Sequence, residues 1–146
     1  MTEGRYPPME DLVPHRPPMM LVDAVEDDGD KTTTCSVTIR EDSSFVEDGA
    51  VPAYVGLEYM AQSVAAHAGL RDVREGREIQ VGYLIGARNV EFLVDGFKIG
   101  ERLLVHVEHV WGDGALGQFD IHIESSGRRV AGALLNVYQG DLEEQA

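Results

Sequence analysis

The stretch from Val51 to Leu70, VPAYVGLEYMAQSVAAHAGL, constrains this chain more than any other. It is almost wholly apolar and rich in Ala, with Pro52 near its start and Gly69 near its end, which is the punctuation of a helix. Glu58, Gln62, Ser63 and His67 are its only strongly polar side chains. A helix that is apolar on nearly every side has to be buried on nearly every side. Either the rest of the chain wraps it or a second protein covers what is left. At 100° per residue, Glu58 and Gln62 lie within about 40° of each other, and Ser63 and His67 fall roughly opposite them. One face therefore offers a carboxylate beside an amide, and Ser63 and His67 are expected at an outer face or an interface.

A chain of 146 residues suits one core, so a single domain over residues 1–146 is expected, with 1–11 and 140–146 peripheral or frayed. No apolar run approaches the ~20 residues that span a bilayer. The opening MTEGRYPPMEDL has no basic segment followed by an apolar one, and a cytoplasmic location is expected. The single cysteine, Cys35, can neither close an intramolecular disulfide nor build a zinc site alone. A net charge of -14, with scattered basic residues, argues against nucleic acid and anionic membrane as partners, because both bind through clustered Lys and Arg.

In chain order, residues 1–18 hold most of the prolines and read as irregular, with a short helical turn near Met9 to Val13. Prolines on both sides of His15-Arg16 stiffen that pair. Residues 19–26 suit a strand, Asp27 to Asp30 a turn, and Thr32 to Arg40 a strand with Thr33, Cys35, Val37 and Ile39 on its buried face. Cys35 on that face is expected to be an inert buried thiol. After the helix, residues 79–93 form a strand candidate broken by Gly82 and Gly86, where a bulge is expected. Three more strands follow, near 101–111, 116–124 and 128–138, joined by turns at Gly112-Asp113-Gly114 and Ser125-Ser126-Gly127. On the first of the three, Leu103, Val105, Val107, His109 and Trp111 share a face. The layout is α+β: a curled antiparallel sheet around one long central helix.

Two short motifs point to a family. Leu12 to Asp23, LVPHRPPMMLVD, resembles the LPHRYPFLLVD opening of the 3-hydroxyacyl-acyl-carrier-protein dehydratases of type II fatty-acid synthesis, which have the hotdog fold. Pro52 to Gln62, PAYVGLEYMAQ, resembles the PGVLxxEAMAQ start of their central helix. GARNVEF and IGERL, within residues 86–103, are weaker counterparts of the family's GIDKxRF and PGDQL. The nearer likeness is to the dehydratase-like hotdog proteins of aryl polyene pathways, which carry PHRPPM and VGLEYMAQ in much this form. The resemblance implies a cytoplasmic dehydratase without cofactor. It further implies acyl carrier protein as substrate carrier, and a dimer, homo or hetero, with the acyl tunnel at the interface. One departure matters. In the fatty-acid enzymes a catalytic histidine opens an HFP motif ahead of the helix carboxylate, and the corresponding position here is Ser44, followed by Phe45 and Val46. His15, a partner subunit, or nothing then supplies the imidazole.

Dehydrating a 3-hydroxyacyl thioester means taking a proton from C2 and protonating the hydroxyl that leaves C3. Glu58, expected to be desolvated on the apolar helix, suits the acid, and His15 suits the base. Gln62 is placed to orient Glu58 by a hydrogen bond. Free N-H groups around Val55 and Gly56 would polarise the thioester carbonyl, and Gly56 would leave room for substrate. A hotdog thioesterase and a non-catalytic subunit of a heterodimeric dehydratase are the competing readings. His106 and His109 have the spacing of a metal pair but, three apart on a strand, face opposite ways, and no metal site is expected in this chain. Acyl carrier proteins are acidic, so docking needs Arg16, Arg88, Lys98 and Arg102 to converge.

Overall fold

The computed structural model describes residues 5–113 and 115–139. The tail expected to fray, 140–146, and residues 1–4 lie outside them. The chain forms strands β1 (Ala24–Asp28), β2 (Thr32–Thr38) and β3 (Ala50–Pro52), helix α1 (Gly56–Arg74), then strands β4 (Gly82–Phe92), β5 (Gly96–Lys98), β6 (Arg102–Asp113), β7 (Leu116–Ser125) and β8 (Arg128–Gln139). Six strands make one antiparallel sheet in the order β1-β2-β6-β7-β8-β4, and β3 pairs with β5 in a separate two-stranded sheet.

Alternation along the strands decides which face meets α1. Cys35 and Val37, Leu103, Val105 and Val107, Ile121 and Ile123, and Ala131, Ala133 and Leu135 all turn inward and are buried against Tyr59, Met60, Val64, Ala66 and Leu70 of the helix. The turn joining β7 to β8 carries positive φ at both Ser126 and Gly127, the geometry that lets a two-residue turn follow the strand twist. Cys35 is fully buried and burial pushes its thiol up to about 12, so it stays a neutral core side chain.

Several expectations are corrected. The first strand begins at Ala24, not Met19, because residues 19–21 hydrogen-bond to a helix side chain. The helix starts at Gly56, not Val51. Residues 50–52 pair with β5, and Ala53–Val55 form a 3-10 turn. It also continues to Arg74, which makes Gly69 an interior position: a Cβ there would run into the backbone carbonyl of Leu12. Trp111 does not share the buried face of β6. A bulge between His109 and Trp111 shifts the register and turns the indole outward, 61% exposed. Ser63 and His67, expected outside, are buried. Met9, in the segment expected to be peripheral, lies in the core on a 3-10 turn spanning Met9–Asp11.

The described residues leave two surfaces uncovered. On α1 the stripe Glu58, Ala61, Ala65 and Ala68 is half-exposed, because the sheet of this chain reaches only one side of the helix. At the sheet's edge, β4 pairs among the described residues with β8 alone and exposes Tyr83, Leu84, Ile85 and Val90. Register shifts between Leu84 and Gly86 and between Arg88 and Glu91 bend it, as the glycines suggest.

Candidate active site

The segment that carries His15 is seated on the helix that carries Glu58. Leu12 and Val13 are buried, their N-H groups donating to the Met9 carbonyl, and the Leu12 backbone lies against Gly69 of α1. Two residues on, the His15 ring comes over the first turns of α1, with Nε2 3.8 Å from Glu58 Oε1. That is too far for a direct hydrogen bond and close enough for both groups to reach one bound molecule. His15 Nδ1 is enclosed and finds no hydrogen-bond partner among the described residues, which leaves Nε2 as the nitrogen addressing Glu58. The Ser44 hydroxyl donates to the Pro18 carbonyl at 2.9 Å and so pins the far end of the same proline-rich loop.

Gln62 is the joint of the site. Fully buried, its Nε2 donates to Glu58 Oε1 at 2.9 Å and to the Met19 carbonyl at 2.7 Å, while its Oε1 accepts from the Leu21 N-H at 2.8 Å. The sequence places Gln62 beside Glu58, and the structure adds that the same amide holds residues 19–21 to the helix. Gln62→Leu is expected to cost about 1–3 kcal/mol, because it leaves the partly buried Leu21 N-H and Met19 carbonyl without their side-chain partner. Urea unfolding measures this, and an unchanged midpoint would contradict it.

Two sequence expectations fail here. Glu58 is not desolvated by its own chain: its side chain is 43% exposed, since it stands on the uncovered stripe of α1. Nor is the Gly56 N-H free, as the expected contact with a thioester carbonyl requires. It donates to the Ala53 carbonyl within the 3-10 turn, and a Cβ at Gly56 would press on Phe97 and Ile123, so helix-to-sheet packing requires the glycine. Val55 lies in that turn with its side chain buried in the core.

Glu58 and His15 stand at one end of a cleft of about 660 Å³ that follows the alanine stripe of α1 to His67, His109 and Phe119. His67, which sequence reasoning put elsewhere, has Nδ1 2.7 Å from Thr33 Oγ1 and leaves Nε2 unpartnered among the described residues. His109 stacks on Phe119, ring centroids 4.9 Å apart. Burial first, then the neighbouring Arg71 and His109, pushes the His67 imidazole down to about 4. It is therefore neutral in the fold, whereas the unfolded chain takes up a proton below about pH 6.5. Its contribution to stability is fully present above that value, falls as pH drops from 6.5 towards 4, and amounts to about 3 kcal/mol at most. Between pH 7 and pH 5 the wild type is expected to lose about 2 kcal/mol more than His67→Gln in urea titrations. Parallel losses would disprove the assignment.

The four cations proposed for carrier docking do not gather at the cleft. Lys98 and Arg102 line one shallow groove, where Arg102 pairs with Glu26 at 3.2 Å. Arg88 is on β4, three strand spacings or about 14 Å from β6. The Arg16 guanidinium folds back onto the Val13 and His15 carbonyls at 2.9 and 2.7 Å.

A long helix packed on a six-stranded antiparallel sheet, with a carboxylate and an imidazole facing one cleft, defines a hotdog-fold protein with acid-base capacity. The chain belongs to the ApeP-like family, described as ApeP dehydratase, whose model matches residues 7–146. Among solved structures, the dehydratase heterocomplex ApeI:P from Xenorhabdus doucetiae superposes with a TM-score of 0.91 at 29% identity, over 97% of this chain and 96% of that one. Zebra fish thioesterase superfamily member 2 matches with a TM-score of 0.65 at 15% identity, over 90% of this chain and 91% of that one. The Escherichia coli PaaI protein matches with a TM-score of 0.62 at 12% identity, over 79% and 81%. The last two show the fold alone. No curated protein matches in sequence. Among the described residues no helix is long and apolar enough to cross a membrane.

Proposed function

We propose that this dehydratase removes water from 3-hydroxyacyl thioesters carried by acyl carrier protein, giving 2-enoyl thioesters. The observation that carries the reading is the approach of His15 Nε2 to the Glu58 carboxylate at the mouth of the cleft. In this mechanism His15 takes the C2 proton through Nε2. Protonated Glu58, oriented by Gln62, gives its proton to the C3 hydroxyl, which leaves as water. The electron pair of the broken C2-H bond becomes the C2-C3 double bond. Ser44, at the position where the fatty-acid enzymes carry their histidine, holds the His15 loop, and His15 takes over the imidazole's role.

The same reading gives the chain a hotdog partner, either a second copy or a different protein. A protein laid against the alanine stripe of α1 and the edge of β4 would cover the exposed apolar side chains and dry the Glu58 carboxylate, which strengthens every charge interaction inside. The dehydratase heterocomplex of the Xenorhabdus relative supports a partner subunit.

The reading is tested by incubating purified protein, alone and with a co-expressed hotdog partner, with a 3-hydroxyacyl carrier thioester and weighing the carrier by mass spectrometry. Loss of one water from the carried acyl group is the expected result. Loss of the whole acyl group, leaving free carrier thiol, would instead make the protein a thioesterase.

A further inference from the structure

Away from the cleft, the face of the sheet opposite α1 carries a second group of polar side chains. His106 on β6 stands directly across from His122 on β7, their rings stacked with centroids 4.7 Å apart. Glu124 follows on the same face of β7. His106 Nε2 lies 3.0 Å from Glu124 Oε1, and His106 Nδ1 lies 3.0 Å from Thr34 Oγ1 on β2. One ligand atom from each of His106, His122 and Glu124 comes within 4.8 Å of the other two, and all three side chains are half-buried.

We infer that His106, His122 and Glu124 form a binding site for one divalent transition-metal ion of the zinc class. Two imidazoles and a carboxylate are donors that zinc, cobalt, nickel and copper accept, whereas magnesium and calcium prefer oxygen throughout. Bonds of about 2.0–2.1 Å put the ligand atoms of a tetrahedral ion roughly 3.4 Å apart. The widest pair here must close by at most about 1.4 Å, a movement that side-chain rotation at half-buried positions supplies. Thr34 is the outer partner that a ligating histidine usually has: its hydroxyl on Nδ1 fixes the His106 ring, and the ion would replace the present contact of Nε2 with Glu124. Arg129, a neighbouring cation, is held by Glu91 at 3.2 Å. The ion clips β6 to β7 on the solvent side and, lying across the sheet from Glu58, takes no part in dehydration.

Calorimetric titration of the untagged full chain with zinc chloride at neutral pH tests this, with cobalt absorption as a direct view of the ligands. One zinc per chain with micromolar affinity is expected, together with a rise in melting temperature of several degrees and no displacement by excess magnesium. His122→Gln and Glu124→Gln should each weaken zinc at least about tenfold and leave dehydration unchanged. Glu124→Gln preserves the shape of its site, so it keeps the test sound if the histidine variant unfolds. Absence of zinc uptake at about 100 times micromolar concentration would overturn the site, as would uptake undiminished in both variants, which would place the ion on other side chains.

Discussion

Glu58→Gln is expected to lower dehydration by about 10²–10⁴-fold while leaving the fold intact. The size of the loss follows from the role: an amide cannot give a proton to the departing hydroxyl, and a positioned acid contributes a rate factor of that order. The fold survives because the substitution is isosteric and both residues are good helix formers. The new amide oxygen can still accept from Gln62 Nε2, as Oε1 of Glu58 does now at 2.9 Å. With its side chain 43% exposed, Glu58 contributes little to stability, and a change within about 0.5 kcal/mol is expected. Steady-state kinetics on the carried substrate, run beside urea unfolding of the same preparation, separates the two effects. A rate equal to wild type in a folded variant would remove Glu58 from the chemistry.

Gly69→Ala should be among the most damaging single-methyl changes at the described residues. In a bare helix interior the substitution would stabilise by roughly 1 kcal/mol, since Gly is the poorer helix former. Here the added Cβ meets the Leu12 carbonyl oxygen, which belongs to the backbone and cannot rotate away. Leu12 and Val13 are themselves fixed, buried and hydrogen-bonded to the Met9 carbonyl at 2.9 and 3.1 Å. Helix and segment must therefore separate, at a net cost of about 3 kcal/mol. Because His15 lies on the same segment, separation also moves its ring relative to Glu58, and dehydration should fall with stability. A urea midpoint at or above that of wild type would show that the 9–13 segment is not seated on α1.

Both predictions draw on features of unequal visibility in the sequence. The long helix and the hairpins were legible because apolar periods of 3.6 and 2 are local properties. The boundary at Val51 was not: residues 51–55 are as apolar as the helix proper, and only pairing with β5 makes them something else. Three-residue strands leave no periodic trace. Gly69 looked like punctuation, and its reason is a close approach by backbone far away in sequence. Ser63 and His67 were misplaced for a related reason. A polar residue on an apolar helix is buried when a partner awaits it, and Thr33, thirty-four positions earlier, supplies one for His67. At the site, the motifs singled out Glu58, Gln62 and His15, and the geometry then brought all three together. The expected dryness of Glu58 assumed that one chain covers its own helix. The His106-His122-Glu124 cluster was invisible because it depends on the register between β6 and β7, whereas the spacing that caught the eye, His106 to His109, joins opposite faces.

The central claim is that His15 and Glu58 work as a pair on one bound acyl chain. The most direct measurement is dehydration of a 3-hydroxyacyl carrier thioester by His15→Ala, in the same oligomeric state as wild type, with and without added imidazole. The account predicts loss of activity by about 10²-fold or more and partial recovery as imidazole enters the space left beside Glu58. Activity retained by the variant without imidazole would contradict it, because the proton at C2 would then be taken by some other group.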